Sequence, residues 1–432
     1  MTPPQAEPRP WRAAAAWLAL LGPLFFLLYG LANWFTAQRA GVPSYYFDWE
    51  RSLPFVPQLM LPYMSIDLFF AASLFVCRTR AELDRHAQRI IAAILISVAG
   101  FLLFPLRFAF ARPAADGFNG LLLDLLTGFD QPFNQAPSLH ISLLLLLWVI
   151  YARHLSAPWR YLMHLWFSLI GLSVLLVYQH HIIDLYTGLA VGMLCLYGLP
   201  DGPLPYPGAR FTRDPRRRAL GWRYLGGGLV CALAAGALQG WAWLLLWPAA
   251  ALIAVASGYW LFGVAVFQKQ AGRHSLAARW LLAPYLLGSW LSYRWYTTGR
   301  PASAPVAADV HIGRLPRRRE LAANRWRSII DLTAEFSSAA RGRYDNLPLL
   351  DLVVPDPDSL RRAAHAIEQA RGAGPVLVHC ALGASRSAVA VIAWLVRQGH
   401  AADIAQAERL LAGRWRILLS AEHRAALAQA LN

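Results

Sequence analysis

Cysteine is scarce in this chain, with four residues in 432: Cys77, Cys195, Cys231 and Cys380. The first three lie in or beside apolar runs and read as small apolar packers. Only Cys380 falls in a soluble setting, so no disulfide framework is indicated. Lysine is almost missing, Lys269 being the single example, and arginine supplies the rest of the 40 basic residues. Acidic residues number 24, which leaves a formal net charge of +16. Charge is nonetheless sparse at 15%, against 57% hydrophobic residues and 18 Trp, a balance too apolar for a soluble enzyme. The arginines cluster beside the apolar runs. That placement speaks for anionic lipid headgroups and against nucleic acid as the partner.

Apolar runs approaching the ~20 residues needed to cross a bilayer recur through the first two thirds of the chain. They place spans near Trp11–Phe35, Val56–Cys77, Ile90–Phe110, Ser138–Tyr151, Trp159–Tyr178, Ile182–Leu199, Tyr224–Gly240 and Trp241–Phe267. Leu276–Tyr296 is apolar only in its middle and carries Arg279 and Arg294, the pattern of an interfacial helix. Arg9 and Arg12, Arg78 to Arg89, Arg153 and Arg160, and Arg213 to Arg218 fall on alternate connections. By the positive-inside rule these face the cytoplasm, as do both termini of a multi-pass protein of a cell inner membrane. The first span reads as an anchor rather than a removed signal. The expected architecture is therefore a multi-pass α-helical membrane protein of about eight spans plus an interfacial helix, followed by a soluble α/β domain. Residues 1–200 form a six-span unit. Residues 201–300 hold a Pro- and Arg-rich connector, a two-span hairpin and the interfacial helix, and 301–432 the soluble domain.

His379-Cys380-Ala381-Leu382-Gly383-Ala384-Ser385-Arg386-Ser387 carries the most specific chemistry. Pro375–His379 ahead of it suits a buried strand, and Ser387–Gln398 after it suits a helix. The residues between Cys380 and Arg386, Gly383 and Ser385 among them, can aim successive backbone N–H groups at one anion. The helix N-terminus faces the same point and favours a thiolate nucleophile. Arg386 can grip phosphoryl oxygens bidentately. The motif resembles the phosphate-cradling loop of the cysteine-dependent phosphatases.

With Asp309–Pro316, Ile329–Phe336 and Pro348–Asp351, residues 308–415 resemble dual-specificity phosphatases, nearest the group containing phosphatidylglycerophosphate phosphatases. The resemblance implies a general acid roughly thirty residues before the cysteine, a position that Asp351 fits best. Asp356 and Asp358 lie nearer and suit a helix cap. Ser387 matches the hydroxyl that helps release phosphate from Cys380. Thiolate and arginine supply what a metal would, so neither metal nor cofactor is expected.

A second constellation lies inside the apolar part. Gln135-Ala136-Pro137-Ser138-Leu139-His140 opens the fourth span and Gln179-His180-His181-Ile182-Ile183-Asp184 the sixth. Ionisable groups at membrane boundaries are costly unless they serve a function. His180 and Asp184, four apart, share one helix face, so the carboxylate can orient the imidazole; His181 points away from it. With the N-terminus inside, both motifs lie at the external face. Residues 55–200 resemble the type-2 phosphatidic acid phosphatase superfamily, nearest the inositol phosphorylceramide and sphingomyelin synthase branch. The resemblance implies His180 as nucleophile, Asp184 as its orienter, His140 as general acid and Ser138 as part of the phosphate-binding motif. Pro105 stands where the hydrolases carry Lys, leaving Arg112-Pro113, and Val174 replaces the Arg after Ser173. The transferase branch lacks those motifs too, and Arg107 or Arg112 would supply the charge.

The expected function is a bifunctional lipid-phosphate enzyme. An external His/His/Asp site hydrolyses or transfers a lipid phosphate, and a cytoplasmic Cys/Arg/Asp site removes a phosphomonoester through a phosphocysteine. Its partners are membrane phospholipids or sphingolipids and a phosphorylated lipid headgroup or phosphoprotein. The alternative is a membrane-anchored protein phosphatase in signalling, with the spans as lipid binder or anchor.

Overall fold

A computed structural model describes residues 8–201, 209–323, 326–338 and 342–432. The chain divides into two compact units, Met1–Leu204 and Pro205–Asn432. The Pro-rich start of the expected connector, 202–208, lies outside the described residues.

The first unit is built of helices α1 (Trp11–Ala37), α2 (Met60–Val76), α3 (Arg80–Leu103), α4 (Gly117–Phe129), α5 (Leu139–His154), α6 (Ala157–Leu176) and α7 (Ile182–Gly198). Local chemistry explains where they start and stop. The Thr79 hydroxyl accepts from Glu82 N–H and starts α3. Pro105 disfavours helix for the residue before it, so α3 ends at Leu103 rather than at Phe110. Ser138 caps α5 through Ile141 N–H. Gly188 on α7 lies so close to α5 that a Cβ there would sit 2.5 Å from the Ser138 carbonyl oxygen. Only a residue without a side chain permits that approach, and Ser142 Oγ donates to the Gly188 carbonyl across it at 2.9 Å. The other end of these helices is ionic. Arg89 and Arg153 both pair with Asp201, and Arg153 and His154 with Glu82.

Among the described residues, five helices are long and apolar enough to cross a membrane: Trp11–Ala37, Pro57–Val76, Arg80–Leu103, Ala157–Leu176 and Gly240–Phe267. This is fewer than the eight spans read from the sequence. Leu139–His154 and Ile182–Gly198 are apolar but shorter, as is Gly117–Phe129, a helix the sequence reading left out. The helix expected over Tyr224–Gly240 begins earlier, at Pro215, and its first turns carry Arg216, Arg217 and Arg218.

The second unit begins with helices α8 (Pro215–Leu238) and α9 (Leu246–Ser257), then a ribbon of β1 (Lys269–Gln270) and β2 (Arg273–His274). The expected interfacial helix is broken into α10 (Leu276–Leu281) and α11 (Ala283–Thr297), because Pro284 cannot donate to the preceding turn. Strands β3 (Ser303–Ala307), β4 (Val310–Arg314), β5 (Ser328–Thr333), β6 (Arg343–Leu349) and β7 (Val376–Cys380) form one sheet in the order β3-β4-β7-β5-β6. Strands β4, β7, β5 and β6 run parallel, and β3 pairs antiparallel with β4. Helices α12 (Arg318–Ala322), α13 (Pro357–Arg371), α14 (Arg386–Arg397), α15 (Ile404–Ala412) and α16 (Ala421–Leu431) complete the unit.

Strand β7 is buried along its whole length, as its continuous apolar run requires of a central parallel strand. Its core is shared with α13, α14 and α16, and Trp394 lies fully inside it. The Trp394 indole donates to Glu368 at 2.9 Å, so its one polar atom is satisfied. Trp394→Ala is expected to cost about 3–5 kcal/mol through the cavity it leaves. Trp394→Phe should cost less. Thermal unfolding of the full chain in detergent checks the order.

Candidate active site

Ligand sites of open parallel sheets form beyond the carboxyl ends of the strands, and the cysteine loop leaves β7 there. Cys380 aligns with Arg314 of β4, and the preceding His379 with Asp331 of β5. The loop then curls into α14. Its carbonyls are satisfied from outside: Leu315 N–H donates to Ala381 O at 3.0 Å, Trp415 Nε1 to Gly383 O at 3.1 Å and Leu418 N–H to Ala384 O at 2.8 Å. Carbonyls held outward in this way leave the loop free to turn its N–H groups inward, as an anion-binding nest requires. Gly383 has φ +77, and a Cβ there would come within 2.8 Å of the Gly313 backbone. The Ser385 hydroxyl is engaged outward with His423 Nε2 at 3.0 Å, so that residue meets an anion through its backbone. Cys380 Sγ lies 3.4 Å from Ser387 Oγ, in the first turn of α14.

Arg386 is 2% exposed, and a guanidinium so buried must be paired. Glu335, just past the end of β5, takes it end-on: Nη1 donates to Oε2 at 3.0 Å and Nη2 to Oε1 at 2.6 Å. Nη1 also donates to the Leu349 carbonyl at 3.0 Å. Asp351 Oδ1 stands 2.9 Å from Nη2, its side chain 43% exposed. Burial works against the charge, but Asp351 and Glu335 outweigh it and hold Arg386 protonated well above the ordinary arginine range. The bidentate grip expected from the sequence is thereby narrowed. Glu335 covers the Nη1–Nη2 edge, which leaves the Nε–Nη2 edge open, and Asp351 stands at Nη2, the nitrogen that both edges share.

Of the three aspartates considered as general acid, Asp351 alone stands beside Arg386. Asp356 caps α13 by accepting from Ser359 N–H at 2.8 Å, and Asp358 pairs with Arg361. Glu335 had no assigned role in the sequence reading. It lies 51 residues from Arg386, and only the adjacency of β5 to β7 joins them.

Behind the loop, His379 is wholly buried, with Nε2 3.9 Å from Asp331 Oδ1. Burial pushes the His379 imidazole below its usual pKa. Burial also opposes charge on Asp331, but His379, Lys269 and Tyr344 overcome it and hold the carboxyl below the ordinary carboxylate range.

The histidine motifs of the first unit also meet. His140, in the first turn of α5, and His180 line one cavity of about 290 Å³ together with Tyr29, Tyr63, Asp130 and Asn134. The His140 ring stacks on Tyr63 with centroids 4.4 Å apart, and its buried Nε2 has no hydrogen-bond partner in the protein. His180 does not share a helix face with Asp184 as expected, because α7 begins only at Ile182. Asp184 accepts from His181 N–H at 2.8 Å, which makes His181 the N-cap and leaves His180 on the non-helical lead-in. The lead-in still brings His180 Nδ1 to 3.5 Å from Asp184 Oδ2. His181 turns the other way, to Glu50 at 3.0 Å and Ala109 N–H at 3.1 Å. Ser138 is wholly buried, its hydroxyl capping α5 and its N–H bonded to the Asp184 carbonyl. Neither Arg107 nor Arg112 lines the cavity. Arg107 is exposed, and Arg112 donates to the carbonyl of Tyr178, two residues before His180.

No group of three or more His, Cys, Asp or Glu side chains is placed to hold a metal among the described residues. No protein-family model matches the chain, and no curated protein matches it. Solved structures similar to it include Tk-PTP in its active form, at 20% identity over 30% of this chain and 96% of that one, with a TM-score of 0.27. PTPMT1 in complex with PI(5)P is 20% identical over 30% of this chain and 95% of that one, with a TM-score of 0.28. A variant of human DUSP28 is 22% identical over 30% and 94%, with a TM-score of 0.28.

Glu335→Gln keeps the shape of the clamp and removes its charge. The expected result is a drop in phosphomonoesterase kcat on the order of 10- to 100-fold, because a misplaced guanidinium stabilises the transition state poorly. Steady-state kinetics of the full chain in detergent measures it.

Proposed function

We propose that this protein is a membrane-embedded enzyme with a cysteine-dependent phosphomonoesterase in its α/β part and a histidine-centred lipid-phosphate site in its first unit. One observation carries the first half: Cys380 and Arg386 flank a loop with three carbonyls held from outside, and Asp351 stands beside Nη2 of the guanidinium. The Cys380 thiolate attacks phosphorus, an S–P bond forms, and the P–O bond to the alcohol breaks as the Asp351 carboxyl protonates the leaving oxygen. Water then attacks the phosphocysteine and Asp351 takes its proton. Phosphate leaves and the thiolate is restored, with Ser387 donating to sulfur. Arg386 and the loop N–H groups hold the phosphoryl charge throughout.

A phosphorylated lipid headgroup is the favoured substrate over a phosphoprotein. Helix α11 packs Tyr293 beside Phe336 and Ala381 of the cysteine loop. Its outer positions expose Leu287, Trp290, Leu291, Trp295 and Tyr296, with Arg294 over the Trp290 ring. Tryptophan, tyrosine and arginine in that mixture suit the headgroup level of a bilayer. The alternation of arginine-bearing connections favours an inner membrane, with both termini in the cytoplasm.

In the first unit, His180 would attack a lipid phosphate, Asp184 would orient it and His140 would protonate the leaving oxygen. The shared cavity and the partnerless His140 Nε2 support this reading. An acceptor alcohol in place of water would make the same step a transfer.

Cys380→Ser in the full chain is expected to abolish phosphomonoester hydrolysis, and Asp351→Asn to slow it on the order of 100-fold by losing leaving-group protonation. Full activity in the serine variant would end the thiolate mechanism. At the second site, His180→Ala, His140→Ala and Asp184→Asn should each alter whole-cell lipid composition while the cysteine site keeps its rate on soluble esters. An unchanged lipid profile in all three, with the protein inserted normally, would make the first unit a binder or an anchor.

A further inference from the structure

The two protein carboxylates on Arg386 stand on different segments, Glu335 beyond β5 and Asp351 beyond β6. Both segments are tied to the same stretch of chain, the one that follows α9 and ends in the β1–β2 ribbon. The Tyr259 hydroxyl donates to the backbone carbonyl of Asp351 at 3.0 Å. Lys269, its side chain 1% exposed, spends all of its ammonium hydrogens on β5. Nζ donates to Asp331 Oδ2 at 2.7 Å, Thr333 O at 2.6 Å and Thr333 Oγ1 at 3.1 Å. His274 Nε2 donates to the Ala334 carbonyl at 2.8 Å, and Ser338 N–H donates to the Gly272 carbonyl at 2.9 Å. Residues 331–338 are thus held on both sides of Glu335.

We propose that Tyr259, Lys269 and His274 are positioning residues of the cysteine site: the ribbon aims Glu335 at Arg386, and Tyr259 fixes the loop that presents Asp351. The inference rests on the reading of Cys380 as nucleophile and Asp351 as general acid. Its physical basis is that a catalytic group must be held within a fraction of an ångström, and neither carboxylate segment is a strand or helix where it meets Arg386. The anchors also differ in what they govern. Tyr259 acts on the segment that carries the proton donor, whereas Lys269 and His274 act on the end-on clamp of the guanidinium through Glu335.

That difference supplies the test, made on the full chain in detergent with two soluble esters. One is an aryl phosphate with a good leaving group, the other an alkyl phosphate whose leaving oxygen needs a proton. Tyr259→Phe keeps the ring and removes only the hydroxyl. Its kcat should fall on the order of 10-fold on the alkyl ester, a loss at least several-fold larger than on the aryl ester, with KM unmoved. Lys269→Met alone strands the Asp331 charge and is open to misfolding, so it is paired with Asp331→Asn, which leaves no unpaired ion. The double variant should keep its Tm within a few degrees of the parent while kcat falls on the order of 10-fold on both esters alike.

Equal or absent effects of Tyr259→Phe on the two esters would overturn the inference for Tyr259. Parental kcat in the double variant would reduce the ion pair to a structural one and overturn it for the ribbon. Activity surviving in Cys380→Ser would instead overturn the reading of the site on which the inference rests.

Discussion

A guanidinium buried against the end of a parallel sheet has to be neutralised where it lies, and the Arg386–Glu335 pair meets that demand. The cost of removing both ions from water is offset by two hydrogen bonds to one carboxylate and a third to the Leu349 carbonyl. Much of the unit follows from this pair. Glu335 reaches Arg386 because β5 lies beside β7. The segment bearing Leu349 and Asp351 reaches it because β6 lies beside β5. A different strand order would leave a buried charge unmatched, so sheet topology and site chemistry are one constraint.

The first unit obeys a packing constraint of another kind. Helices α5 and α7 approach until only glycine fits at position 188, and that contact sets the depth at which His140 and His180 meet. The motif serine is used in the approach. Ser138 caps α5 and its N–H holds the Asp184 carbonyl, so the serine of one motif fixes the aspartate of the other. Helices α5 and α7 run parallel, so their N-terminal ends bring the histidines together and their C-terminal ends lead to Arg153 and Asp201 of the arginine–carboxylate pairs.

The cysteine loop was legible in the sequence because it is contiguous: strand, nest and helix follow within a few residues, and the glycine with φ +77 falls inside it. Asp351 was a candidate in the sequence through the family resemblance, by its distance before the cysteine, and the structure sets it beside Arg386. Glu335 was not, since its partner is 51 residues away and nothing in its neighbourhood marks it. The relation of His180 to Asp184 was read as helical because a spacing of four suits a helix. Asp184 instead closes a cap on His181 and starts the helix two residues after His180. Of the eight spans read from apolar composition, five are long and apolar enough to cross a membrane among the described residues, while Leu139–His154 and Ile182–Gly198 are apolar but shorter. Apolar composition also missed the break at Leu282 and the helix Gly117–Phe129, whose glycines weaken its signal.

Lys269 has a consequence for how the protein can be handled. It is the chain's single lysine, and its amine is sealed against β5. Amine-directed acylating reagents and cross-linkers therefore meet no accessible side chain in the folded second unit, and a lysine-specific endoprotease has one cleavage point, hidden until the ribbon lifts away. Labelling at position 269 would act as a clock for that separation, with no engineered residue needed.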